Sequence, residues 1–260
     1  MIAPNGARRV HADHPAIPIT IAETVKTAVE CFDAGAGAIH AHVRDGDGNH
    51  VLDAGMYREL IDELSIAVPA MLVQITTEAV GVYNSHQQRE LVRAVMPKYV
   101  SIALKEITDG TDEATVRDFF AWASEENIGV QHILYASDEL EKFIDFVSRG
   151  IIPQKDLEAL FVLGRYTQGQ QSSPQNVDPF LNVRDAGLKH LPWAVCAFGQ
   201  QETDCLAYAA SKGGKTRVGF ENNLHNRDGG IAVSNADRVR ELVSTLRAAG
   251  TLEQPKAGAV

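Results

Sequence analysis

Two histidines one residue apart, in His40-Ala41-His42, close a short apolar run. If that run is a strand, side chains two apart emerge on the same face, and both imidazoles project together. A His-x-His pair of this kind presents two nitrogen ligands to zinc or a related divalent metal. It equally describes two polar residues that only finish a strand. A third ligand must come from elsewhere, and Glu221 ends another apolar run in Arg217-Val218-Gly219-Phe220-Glu221-Asn222-Asn223. Alone, Glu221 reads as a strand leaving the core. With the histidines it completes a set of two nitrogens and one carboxylate, which leaves a position open for water or substrate, as a catalytic metal requires. Thr76, Thr77 and Glu78 follow a further run, Ser101 lies within one and His132 on another. Each has a structural reading as a satisfied polar group, His132 most of all. Their convergence on one face would make a pocket.

Convergence depends on the elements that carry these residues. Apolar, β-branched runs predict strands at Ala38–Val43, Met71–Thr76, Tyr99–Leu104, Gly129–Leu134, Leu160–Leu163, Trp193–Phe198 and Thr216–Glu221. Amphipathic stretches near 21–34, 54–66, 86–95, 113–126, 138–149, 175–187, 201–211 and 235–249 predict helices between them. Strand starts recur about every 30 residues, the length of one βα unit. Thr20-x-x-Glu23 and Ser85-x-x-Gln88 have the pattern of capping boxes, and Ser234 before Asp237 a weaker one. Gly35, Gly129, Gly150 and Gly250 follow helical stretches where left-handed termini are expected. Continuous apolar strands imply a parallel sheet buried on both faces. Met1–Pro4 supplies a short first strand, which brings the count to eight. No GxGxxG element occurs, and Gly214-Lys215-Thr216 lacks the leading glycine of a phosphate-binding GxxxxGK(S/T) loop, so nothing marks an open nucleotide-binding sheet. The expected fold is therefore an α/β (β/α)8 TIM barrel, one domain over residues 1–260, whose strand carboxyl ends form the active face.

Composition agrees with a folded enzyme of small molecules. The 260 residues are 45% hydrophobic and 22% charged, which excludes a disordered or fibrous chain. A net charge of −10 without a long basic run argues against nucleic acid and anionic membrane as partners. Three scattered cysteines, Cys31, Cys196 and Cys205, form neither a disulfide framework nor a thiolate zinc site. The start lacks the features of a signal peptide and no apolar run approaches a membrane span, so a cytoplasmic setting is expected.

Several segments together resemble the β-keto acid cleavage enzymes. They are Asn5-Gly6-Ala7, Ala12-Asp13-His14-Pro15 through Pro18-Ile19-Thr20, Gly37 through Asp45, Phe161-Val162-Leu163-Gly164, Arg217 through Asn223, and Ser234-Asn235-Ala236. The likeness runs from about residue 5 to 249. It implies a zinc-bearing barrel, homotetrameric, that condenses a β-keto acid with acetyl-CoA and releases acetoacetate and a new acyl-CoA. His40, His42 and Glu221 match the family's metal ligands. Arg217 matches an arginine at the reacting centre, Thr76 a hydroxyl that contacts substrate, and Ser101 another pocket hydroxyl. Under this resemblance, zinc would polarise the keto carbonyl, a base would form the carbon nucleophile, and Arg217 would hold the developing oxyanion.

The departures bear on mechanism and substrate. The family carries Asp-Asn after the glutamate ligand, with the aspartate as base; here the position is Asn222, and an amide cannot act as a carboxylate base. Glu78 is the candidate replacement, because the lysine-fermentation member has glycine there; its other reading is an exposed turn residue. That member also has a glutamate suited to a substrate amine where this chain has Arg8. Arginine there favours a carboxylate or neutral polar tail, such as that of a dicarboxylic keto acid; the alternative is a rim residue that binds CoA phosphate or solvent. The loop 164–174 has the length of a lid or thioester-binding loop, with no partner evident for Arg165 or Gln170. Two other functions stay open: a zinc hydrolase or aldolase that uses Glu78, and a ligand-binding protein silenced by Asn222.

Overall fold

The computed structural model describes residues 1–252; the remainder of the expected 1–260 domain lies outside the described residues. Seven strands form one parallel sheet in sequential order: β1 (Ala38–Ala41), β2 (Leu72–Thr76), β3 (Tyr99–Ala103), β4 (Gly129–Leu134), β5 (Glu158–Leu163), β6 (Trp193–Ala197) and β7 (Lys215–Thr216). The helices are α1 (Ile21–Asp33), α2 (Ala54–Ala67), α3 (Ser85–Val95), α4 (Leu104–Ile107), α5 (Glu113–Glu125), α6 (Ser137–Ser148), α7 (Asp178–Gly187), α8 (Glu202–Ser211) and α9 (Asn235–Ala248). Only α4 was not expected. The sheet curls, and residues at its start link its two edges. Ile2 bridges Ile39 of β1 on one side and Val218, beyond β7, on the other, both in parallel sense. Its amide donates to Ala38 O at 2.8 Å, and the Val218 amide donates to Met1 O at 3.1 Å.

Two strand expectations need correction. Met1–Pro4 is a single bridged residue, because Ile2 alone has both neighbours in register. The run Thr216–Glu221 is not a strand to its end: β7 stops at Thr216, and Gly219 takes φ +142°, where a Cβ would lie 2.4 Å from Ala3 O. The backbone turns there, so Glu221 sits on a turn and not at the end of a ladder.

Alternation along each strand divides the apolar groups. Ala159, Phe161 and Leu163 of β5 pack outward among the helices, with Phe143, Phe180 and Trp193. Leu160 and Val162 face inward with Ile133, Ala194, Cys196 and Phe198. Each fully buried Leu, Ile or Phe contributes about 1.5–3 kcal/mol of transfer free energy. That outer layer offsets the polar groups that β1–β4 place on the concave side, where His40 pairs in register with Gln74, and Ser101 with Gln131.

The helix ends are set by local chemistry. Thr20 and Glu23 form the expected capping box, and Ser234 accepts from the Asp237 amide at 3.2 Å. The box on α3 lies one residue earlier than the sequence suggested: Asn84, in extended conformation, caps with Gln87. This frees Gln88 to turn inward and donate to Thr77 O at 2.7 Å. Gly35, Gly150 and Gly250 have positive φ as expected, but Gly129 does not; Asn127 takes the left-handed position instead. Gly129 begins β4 against the Tyr99 ring, where a Cβ would sit 2.6 Å from a ring carbon. The three cysteines are free and buried. Among the described residues, no helix is long and apolar enough to cross a membrane.

Candidate metal centre and substrate cleft

At the carboxyl end of β1, both imidazoles point the same way, as period-2 geometry requires. His40 Nε2 lies 3.2 Å from His42 Nε2, and Glu221 Oε2 lies 3.5 Å from the first and 3.6 Å from the second. The hydrogen bonds behind the rings assign the tautomers. His40 Nδ1–H donates to Gln74 Oε1 at 2.8 Å, and Gln74 Nε2 donates on to Gln131 Oε1 at 3.3 Å. His50 Nε2–H donates to Glu78 O at 3.0 Å, so its Nδ1 is the acceptor for His42 Nδ1–H at 3.3 Å. Both Nε2 atoms are thereby left as bare lone pairs that face each other. Burial, then Arg217, pushes His40 down to about 4, and burial pushes His42 well below its ordinary value, so both rings are neutral at neutral pH.

Glu221 Oε2 is buried without any hydrogen-bond partner. Three electron-pair donors aimed at one point are mutually repulsive, and a divalent cation satisfies them. The ligand atoms of His40, His42 and Glu221 lie within 4.8 Å of one another, the dimension of one metal site. The other carboxylate oxygen is occupied: Arg217 Nη2 donates to Glu221 Oε1 at 2.9 Å and to Cys196 Sγ at 3.3 Å. Burial works against the Glu221 carboxylate. Arg217 outweighs it and holds the carboxyl well below its usual range.

The donors open into a cleft of ≈ 180 Å³. Thr76, Glu78, Tyr135, Arg165, Arg217 and Arg8 are among its lining residues. Arg8 is exposed at the rim, as its place in the Asn5–Arg9 loop dictates. That loop is stapled to the end of β1: Asn5 Nδ2 donates to His42 O at 3.0 Å, and buried Arg44 reaches the carbonyls of Gly6 and Arg9. Thr76 Oγ1 accepts from the Glu78 amide at 3.1 Å. Glu78 Oε2 stands 3.9 Å from His42 Nε2, and its Oε1 3.5 Å from Arg165 Nη2. Burial, then the Glu221 carboxylate, pushes Glu78 up to about 7 against the pull of Arg165.

Other expected residues stand outside this cleft. Ser101 lies behind His40, its Oγ 3.4 Å from Nδ1, and does not line the opening. Asn222 follows Glu221 in a turn, so its side chain leaves on another side. It faces an adjoining cleft of ≈ 260 Å³ with Arg9 and Gln170, both amide atoms buried and unpartnered. His132 lies between the Phe120 and Phe143 rings, away from the centre, as its structural reading expects. Gln74, His50 and Gln131 were not singled out from sequence. His50 follows the Asp45–Asn49 turn with no motif to mark it, whereas Gln74 interrupts an otherwise apolar strand, the one signal that was there to use. Arg165, which had no evident partner, reaches Glu78 and stacks 5.1 Å above the Phe198 ring, and Gln170 donates to its carbonyl at 3.4 Å.

A curled parallel α/β architecture thus carries a two-histidine, one-glutamate donor set of the kind that could hold a metal ion, beside a polar cleft. Comparison with known proteins narrows this. The family model for beta-keto acid cleavage enzyme matches residues 1–254, and the chain belongs to that family of enzymes. The 3-keto-5-aminohexanoate cleavage enzyme of Fusobacterium nucleatum is 27% identical over 94% of this chain and 89% of its own length. The 3-oxoadipate:acetyl-CoA acetyltransferase of Cupriavidus necator is 21% identical, over 94% of this chain and 86% of its own. Among solved structures, ObcA in ternary complex with a C4-CoA adduct and oxalate superposes with a TM-score of 0.69 at 14% identity, a likeness of fold. It covers 91% of this chain, which spans 65% of the length of ObcA.

Proposed function

We propose that this chain condenses a β-keto acid with acetyl-CoA, yielding acetoacetate and a new acyl-CoA, at a zinc site formed by His40, His42 and Glu221. The observation that carries this is the unpartnered Glu221 Oε2 facing two bare imidazole nitrogens, with Arg217 already committed to the opposite oxygen. When bound, the metal supplies Lewis-acid polarisation of a carbonyl oxygen. Gln74 and His50 hold the two imidazoles in the ligating tautomer. Glu78, at the mouth of the cleft, removes a proton from the carbon between the keto and carboxylate groups. The resulting carbanion bonds to the acetyl carbonyl carbon and expels the CoA thiolate. That thiolate adds to the original keto carbon, the bond to the central carbon breaks, and acetoacetate takes the proton back. Arg217 N–H groups stabilise oxyanion charge as it develops, and the Thr76 hydroxyl contacts substrate. Ser101 acts through His40. Asn222, facing the adjoining cleft, is not the base; its unpartnered amide favours contact with the second substrate.

Arg8 at the rim, with Arg165 deeper, favours an acidic tail on the keto acid over an amine. The Met1–Ala3 segment serves as the eighth stave of a single-domain barrel, and the enzyme is a cytoplasmic homotetramer. The test is incubation of zinc-loaded protein with a panel of β-keto acids and acetyl-CoA, measuring acetoacetate and acyl-CoA. Dicarboxylic keto acids are expected to react fastest, and Arg8→Ala to raise their KM without changing that of neutral ones. Turnover without acetyl-CoA would replace this reading with a hydrolase or aldolase. Binding without any product would make the chain a ligand-binding member.

A further inference from the structure

Behind the turn that carries Glu221 lies an ion pair with no exposed side-chain surface. Glu202, the first residue of α8, meets Arg238 in the first turns of α9, with Oε2 2.9 Å from Nη2. Dehydrating two charges so completely yields little net stability, because their attraction only roughly repays the desolvation. Its geometry is more informative than its energy. The strand ladder ends before Gly219, whose amide has no strand neighbour to accept it. Glu202 Oε1 accepts that N–H at 3.1 Å. Glu202 Oε2 also stands 3.5 Å from Asn223 Nδ2, on the far side of Glu221. Asn235, which opens α9, accepts from the Phe220 amide at 2.9 Å and donates to Pro4 O at 3.0 Å. Arg238 in turn donates to Thr203 Oγ1 at 2.8 Å and Asn226 Oδ1 at 3.0 Å.

We propose that Glu202 is a positioning residue for the candidate metal centre, with Arg238 serving to neutralise its buried charge. Its carboxylate replaces the missing ladder bond at Gly219 and so fixes the turn that aims Glu221 Oε2 at the two imidazoles. The inference rests on the reading of Glu221 as a metal ligand. It predicts that metal affinity depends on a carboxylate or amide acceptor opposite the Gly219 amide, and not on the ion pair as such.

Two double variants of the full chain separate these roles, since both remove the Glu202–Arg238 pair together; Glu241, the other carboxylate on Arg238, is partly exposed and keeps its bonds from Thr203 and the Arg227 amide in both. Glu202→Gln with Arg238→Met keeps an acceptor for Gly219, and Glu202→Leu with Arg238→Met does not. The readouts are the Zn2+ dissociation constant, by competition with a chromogenic chelator, and the visible spectrum of the Co2+ form. The Gln variant is expected to bind within about threefold of the parent, and the Leu variant about 10–100-fold more weakly with an altered Co2+ spectrum. Equal affinities and spectra in the two would overturn the proposal. If the Leu variant does not fold, Glu202→Asp carries the test: it keeps the charge but falls one methylene short of Gly219. Weakened Zn2+ binding supports the proposal, and parental binding overturns it. Glu221→Ala is the separating control. If it binds Zn2+ like the parent, the metal reading itself fails; if it loses Zn2+ while the Glu202 variants do not, only the positioning role fails.

Discussion

The sequence offers Glu78 as a replacement base through one departure from a family pattern, and the fold sets its carboxylate in the candidate cleft, 3.9 Å from His42 Nε2. A carboxyl pushed up to about 7 is half ionised near neutrality, where a general base is most effective. A protonated carboxyl cannot accept a proton, so kcat/KM should fall as pH drops through the Glu78 pKa, roughly tenfold per unit below it. Glu78→Gln should lower kcat by about 10²–10⁴-fold and flatten that limb of the profile. A Gln variant with parental kcat, or one that retains the limb, would remove Glu78 from the chemistry. By contrast, the Ser101 hydroxyl was expected in the pocket and lies behind His40. Residue type and strand placement were legible; which neighbour the hydroxyl would meet was not, because that depends on the register between β1, β2 and β3.

At the scale of elements, the informative segments are the turns that end strands. Glu221 depends on the 217–223 turn, and that turn is packed against the Asn5–Arg9 loop. Gly6 sits at φ +60°, where a Cβ would lie 2.5 Å from Glu221 Cγ. Gly6→Ala therefore adds backbone strain and pushes directly on the ligand side chain. The expected result is a stability loss of about 1–3 kcal/mol together with weaker Zn2+ binding, read by thermal melting and metal titration. A variant with lower Tm but unchanged metal affinity would show that the carboxylate has room to shift. Alternating apolar runs and Thr20-x-x-Glu23 placed most helices and strands correctly. They failed where a glycine ended a ladder early, at Gly219, and where two cap patterns overlapped, at Asn84 and Ser85.

On the scale of the whole molecule, the candidate metal centre joins residues from both ends of the chain. His40 lies on β1 with His42 just past its end, Glu221 follows β7, and Met1–Ala3 bonds to both edges between them. A cation that binds only this folded arrangement stabilises it by mass action, about 4 kcal/mol when free metal is 1,000 times its dissociation constant. For a chain of this size, chelation of the metal should lower Tm by roughly 8–16 °C, and restored Zn2+ should recover it. A melting curve indifferent to chelator would mean that no metal bridges the two ends.

From the amino-acid order alone came the parallel α/β class, the strand and helix succession, and the His-x-His pair with its candidate glutamate partner. These follow from period-2 and period-3.6 patterning and from ligand types that only certain metals favour, information carried by near neighbours in the chain. The tertiary structure decided what depends on distant segments meeting. It closed Ile2 between β1 and Val218, turned Glu221 out of a strand, set the imidazole tautomers through Gln74 and His50, and brought Arg165 to Glu78. It also placed the Glu202–Arg238 pair behind the metal turn. In sequence those charges read as ordinary polar positions on two helices. Only the packing of α8 and α9 against the end of the sheet makes them buried, paired and directed at one backbone amide.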